Sequence, residues 1–249
     1  WPKGVKRLSI QASEGECPTL ELHSWKDNRS YEQLSLLGLR WRGAAVELPQ
    51  AERILVRYCT VADRSGLRRS HGTGLLRVED CRLGGIRLGG AARIEGVNSS
   101  LDPGGMDLPG ARAVQAYGSD VTLDRVTVVG RVKTRSLTAS NCLFLGKAQV
   151  RDRFRGCVRY SRFPAGALLP EQHRCIHGGH VELESQDRQD PGYLRLTERT
   201  DVNIRSGADD GAELGVGHDS LELPRLRSLK QRLEGSLPAG LRAGHTQKD

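Results

Sequence analysis

The stretch Val78-Glu-Asp-Cys81-Arg-Leu83-Gly84 decides the fold, because its pattern returns along the chain. An apolar residue is followed after two positions by Cys or Val, then by one residue and another apolar one, often with Gly close behind. Upstream it reads Val56-Arg-Tyr-Cys59-Thr-Val61, with a weaker copy at Leu36-Leu-Gly-Leu39-Arg-Trp41-Arg-Gly43. Downstream it reads Ile94-Glu-Gly-Val97-Asn-Ser99, then Leu123-Asp-Arg-Val126-Thr-Val128-Val-Gly130. Ala139-Ser-Asn-Cys142-Leu-Phe144-Leu-Gly146 and Phe154-Arg-Gly-Cys157-Val-Arg159 complete the series.

Aligned on Leu39, Cys59, Cys81, Val97, Val126, Cys142 and Cys157, the steps are 20, 22, 16, 29, 16 and 15 residues. Repeats of roughly 15–25 residues suit rungs of a solenoid, in which each unit buries its apolar side only by stacking on its neighbours. The longest step contains Asp102-Pro103-Gly104-Gly105, turn chemistry suited to a loop leaving the coil. Within a copy, Leu76, Val78 and Leu83 alternate with Arg77, Glu79 and Arg82, the period of a strand. Short strands such as Ile86-Arg-Leu88 follow the Gly, giving two or three strands per turn. An antiparallel sandwich also uses short strands. It does not require one residue type to return at one phase, whereas vertical stacking does. The expected fold is a right-handed parallel β-helix over residues 1–162, with a loop-rich transition and small helical cap over 163–249. Leu226, Leu229, Leu233 and Leu237 after Pro224 supply the helical spacing of that cap.

Composition agrees. The 249 residues contain 30 Gly and only 4% aromatics, so the core must be built from small aliphatics and Cys. The net charge of +8 is carried by Arg dispersed among Asp and Glu, the texture of a solvated face. No basic run is dense enough for a nucleic-acid arm, and no apolar run reaches the ~18–20 residues that span a bilayer. The chain starts at Trp1 in strand-like sequence without Met or a signal-peptide pattern, and reads as a piece of a longer protein.

Several constellations bear on chemistry. Cys59, Cys81, Cys142 and Cys157 share a phase and are expected to point inward as reduced thiols, small hydrophobes in a narrow column. Residues in register rarely reach disulfide torsions. His173, Cys175, His177 and His180 form a weak metal-ligand candidate, but Gly178-Gly179 interrupts any helix that would align them. Asp80, Asp124 and Asp152 are candidates for the carboxylates a polysaccharide hydrolase or lyase needs, yet their neighbours differ from rung to rung. The acidic run Gly207-Ala-Asp209-Asp210-Gly211-Ala-Glu213 lacks the ligand alternation of an EF-hand and reads as a turn. Gly84-Gly85 and Gly89-Gly90 read as corners rather than a dinucleotide loop, and no cofactor motif is present. No catalytic residue is assigned.

Taken with Leu55-Val-Arg-Tyr-Cys-Thr-Val61, Leu137-Thr-Ala-Ser-Asn-Cys-Leu-Phe144 and Gly156-Cys-Val-Arg-Tyr-Ser161, these stretches resemble the β-helix-containing proteins encoded beside phage-tail-like contractile injection systems. The segment Arg205-Ser-Gly-Ala-Asp-Asp-Gly-Ala-Glu-Leu-Gly215, followed by His218, Pro224-Arg and Pro238-Ala-Gly, carries the most specific part of the likeness. The resemblance implies a structural or attachment role in a bacterial tail-like particle. Its partners would be other particle proteins or a surface receptor or glycan. It also implies synthesis in the cytoplasm before assembly into a released or surface-acting particle, and no catalytic residues. A carbohydrate-active or glycan-binding β-helix is the alternative. The loop at 102–110 and the transition at 164–191 are the expected contact regions.

Overall fold

The computed structural model describes residues 5–14, 16–23, 29–63, 65–104, 110–188, 190 and 192–218. They form a parallel β-solenoid of about seven turns, the expected fold. Each turn visits three faces. Gly74–Glu79 lies on the first, Arg82–Leu83 on the second and Ile86–Leu88 on the third, before Ala92–Val97 returns to the first one rung further on. The nine strands of the second face make a sheet of their own. The first and third are joined where the long strands Arg112–Asp124 and Arg131–Ser140 bend around their shared corner without a break. Three strands per turn is the upper of the two numbers the sequence allowed.

Stacking in register places like on like inside the coil. On the first face Leu34, Ile54, Leu76, Ile94, Val121 and Leu137 form one file. On the third, Val46, Leu67, Ile86, Val114, Val132 and Ala148 form another. All are buried, and each Val, Leu or Ile among them contributes about 1.5–3 kcal/mol relative to exposure. Toward the last turn the second face ends in aromatic packing, with Phe144 stacked on Phe163 at 4.4 Å.

The corner between the first and second faces explains the repeat. Seven non-glycine residues have positive φ there: Tyr58, Asp80, Asn98, Arg125, Asn141, Tyr160 and Arg174. A left-handed residue of this kind costs energy unless its surroundings hold it. Each of the first six is held by its own N–H, which bonds a carbonyl of the next rung, as Asp80 does with Val97 at 3.1 Å. The residue immediately after it turns inward. Those inward residues are Cys59, Cys81, Ser99, Val126, Cys142, Ser161 and Cys175. This corrects the expected ladder at two points. Val97 pairs with Glu79 and Asp124, and is only half-buried. Cys157 opens the strand Cys157–Arg159, whose Val158 pairs with Ala139, so Cys157 also lies off the file. Ser99 and Ser161 occupy those rungs instead.

The coil does not stop at 162. Glu171–His173 and Ile176–His177 add strands to the first and second faces, carrying the turns through His177. The described residues of 180–218 then fold back over the outer side of the second face and include one short helix, Val202–Arg205. Leu143, which faces outward from the second face, is buried there with Leu196, Ile204, Ala212 and Leu214. The segment is thus a strap along the side of the coil. The expected cap helix, with Leu226, Leu229, Leu233 and Leu237, lies outside the described residues, as do residues 105–109 of the loop after Asp102.

Candidate functional site

The inward corner file is held by hydrogen bonds as well as packing. The backbone N–H of Cys81 donates to Ser99 Oγ at 3.0 Å, and that of Cys142 donates to Ser161 Oγ at 3.0 Å. The N–H of Cys59 donates in the same way to Cys81 Sγ at 3.4 Å. Each of these side chains in turn donates to the carbonyl two residues before it: Ser99 to Val97 at 2.6 Å, Ser161 to Arg159 at 2.7 Å and Cys81 to Glu79 at 3.0 Å. Ser and Cys are interchangeable here because either presents one donor and one acceptor in a small volume. All six cysteines are free thiols. Burial raises the thiol of Cys81 and pushes that of Cys142 up to about 12, which keeps both protonated and poorly nucleophilic.

The expected metal ligands do not converge. His177 Nε2 lies 2.5 Å from Gln172 Oε1, while His173 packs edge-on to Tyr160. Cys175 faces inward, its Sγ bonded to the carbonyl of Val158 at 3.3 Å, and His180 lies 3.7 Å from Glu182. Among the described residues the group whose ligand atoms do approach one another is Asp209, Asp210 and His218. Asp209 is engaged otherwise, since its carboxylate accepts from Asn141 Nδ2 at 3.0 Å and its N–H donates to Asn141 Oδ1 at 3.1 Å. Asp210 accepts from the Ala212 N–H at 2.9 Å, the turn that the acidic run suggested. The three candidate carboxylates sit apart, each beside a different guanidinium: Asp80 3.9 Å from Arg57, Asp124 3.0 Å from Arg125 and Asp152 3.4 Å from Arg155.

Two further features did not emerge from the sequence. The first is a clasp between strap and coil. Arg188 donates to the carbonyls of Val61 at 3.0 Å and Leu83 at 2.9 Å, and also to that of Asp102, so one guanidinium spans three successive rungs. It pairs with the buried Asp102 carboxylate at 3.7 Å, which also accepts from Tyr193 Oη at 2.9 Å. Burial raises the Tyr193 phenol and keeps it a donor. These contacts reach across as many as 127 residues of sequence, which is why no local pattern announces them.

The second is an asymmetry of charge between two outer faces. On the first face three guanidinium groups are paired with carboxylates, Arg57 with Glu79 at 3.1 Å, Arg77 with Glu95 at 3.4 Å, and Arg135 with Asp120, whose carboxyl that pairing lowers, while Arg53 and Arg93 make no ion pair among the described residues. On the third face, register aligns Glu47, Arg68, Arg87, Gln115, Lys133 and Gln149 in a single outward column. A shorter column beside it runs through Arg112 and Arg131 to Lys147, which precedes Ala148. None of Arg68, Arg87, Arg112, Arg131, Lys133 and Lys147 makes an ion pair among the described residues. Arg68, Arg87 and Arg112 flank a trough of about 380 Å³ floored by Gly66 and Gly85. A side chain on Gly66 would place its Cβ 2.0 Å from the carbonyl oxygen of Gly85, so close stacking of the rungs keeps that floor bare. Among the described residues no helix is long and apolar enough to cross a membrane. No protein-family model, curated protein or solved structure matches the chain.

Proposed function

We propose that this protein is a non-catalytic attachment module, a stiff β-solenoid that presents a basic face to a partner, and that it serves in a tail-like contractile particle of the kind its sequence resembles. The observation that carries the reading is the third face, whose six cations lack carboxylate partners among the described residues, whereas Arg57, Arg77 and Arg135 on the first face are each paired with a carboxylate. An exposed row of uncompensated charge costs self-repulsion and is attracted to a surface of opposite sign. Stiffness is supported by the clasp, in which Arg188 ties three rungs to one strap residue. A glycan-binding role, the second reading, draws on the same basic face and differs in the identity of the partner.

Expression of the chain together with its neighbouring genes tests the reading. Sedimentation of the protein with an assembled particle supports it. A protein that stays free and releases reducing sugar ends from a polysaccharide contradicts it.

A further inference from the structure

We infer that the third-face trough binds a linear acidic polysaccharide, an inference that rests on the attachment reading and names its partner. Three features select this ligand. Cations lie on adjacent rungs, Arg68 beside Arg87 in one column and Arg112 beside Arg131 in the next, at the rung spacing of about 4.7–4.9 Å. An extended polyuronate advances by close to one rung per sugar, so the carboxylates on one side of it fall at whole-rung separations along such a face. The phosphates of a duplex wind about its axis and would cross the row rather than follow it. Second, Gln115 and Gln149 interleave with the cations. An amide offers both donors and acceptors, which suits hydroxyl groups between carboxylates, whereas guanidinium forks suit the carboxylates themselves. Third, the last cation of the column lies beside an aromatic ring. Tyr117 is 46% exposed, with the Lys133 ammonium 5.9 Å from its ring centre, and a sugar ring can stack where that face is open.

The site is preorganised. Arg68 and Arg87 emerge from strands whose neighbouring residues are buried, so their stems start from fixed points one rung apart. Arg112 donates to Gln115 Oε1 at 2.9 Å, which orients both side chains on the same strand. The bare glycine floor allows a polymer to lie close to the backbone.

Binding of the full-length chain to polygalacturonate oligomers, compared with neutral dextran and with duplex and single-stranded DNA, tests the inference. Arg68→Gln combined with Arg87→Gln is expected to weaken polygalacturonate binding about tenfold or more, as loss of charge-assisted hydrogen bonds does. Arg131→Gln combined with Lys133→Gln, further along the same face, is expected to do likewise. Arg53→Gln combined with Arg93→Gln removes the same charge from the first face and is expected to change binding by less than about twofold. Unaltered melting curves establish that the variants are folded. Equal losses in all three variants would reduce the effect to net charge and overturn the site. Tighter binding of DNA through Arg68 and Arg87 would reassign the ligand, and no binding of polygalacturonate would remove it. Either failure leaves the attachment reading intact if the chain still sediments with a particle; polysaccharide binding without sedimentation would reject the particle alone.

Discussion

Ser161 Oγ accepts the backbone N–H of Cys142 at 3.0 Å, one rung away, and donates its own O–H to the carbonyl of Arg159. The left-handed corner turns the Cys142 N–H inward, where the hydroxyl supplies its partner. Ser161 is fully buried, so the bond has no competition from water. The same arrangement joins Ser99 to Cys81.

Ser161→Ala is therefore expected to lower stability by about 1–3 kcal/mol, the cost of leaving a buried donor unsatisfied. Ser161→Cys keeps a donor and an acceptor and is expected to cost clearly less. Urea unfolding of the two variants checks the order. Equal stability of Ala and Cys would show that packing alone holds the corner.

The clasp gives a larger expected effect. Arg188→Met strands the Asp102 carboxylate in the interior, and breaking a buried pair in this way costs about 3–5 kcal/mol. The strap should then become sensitive to limited proteolysis while the coil resists. Adding Asp102→Asn is expected to restore part of the loss, which a double-mutant cycle would read as coupling between the two sites.

Glu213 sets a pH dependence. Burial raises its carboxyl to about 7, above the ordinary value of 4.5. The folded state thus holds this proton more tightly than the unfolded chain. The associated stability is full below about 4.5 and is lost as pH rises through about 7, a change of about 3 kcal/mol. Glu213→Gln should flatten that segment of the stability profile and leave the variant more stable than the parent at alkaline pH. A parallel pH dependence in parent and variant would contradict the assignment.

Thiol chemistry reports the interior. Cys17 is exposed, whereas Cys59, Cys81 and Cys142 are buried. Cys17 is expected to react rapidly with a thiol reagent in the native protein, and the three buried thiols only on unfolding. Rapid native labelling of Cys142 would mean that the file opens.

The rungs were legible in the sequence because an apolar stack demands the same residue class at the same phase, and the spacing of Cys59, Cys81 and Cys142 revealed it. The phase slipped where that class was taken to be apolar. The corner in fact asks for a small residue with a donor and an acceptor, so Ser99 and Ser161 belong on the file that Val97 and Cys157 were expected to occupy. A search for Cys or Ser immediately after a polar or aromatic residue, as in Asp80-Cys81, Asn98-Ser99 and Tyr160-Ser161, would have found them. The boundary at 162 fell short for the same reason, since Arg174-Cys175 marks one more turn. The cation column was invisible because Arg68, Arg87 and Lys133 become neighbours only when strand register is known. The clasp was hidden by distance along the chain, since Arg188 meets Val61, Leu83 and Asp102 only when the strap folds back.

Vertical stacking itself can be measured with nitroxide labels placed at the positive-φ corner. Tyr58 and Tyr160 are five rungs apart, and Asp80 and Tyr160 four. At about 4.8 Å per rung, electron–electron dipolar spectroscopy should give narrow distributions near about 24 Å and about 19 Å, the pairs differing by one rung. Broad distributions, or a separation that does not shorten by one rung between the pairs, would contradict the column.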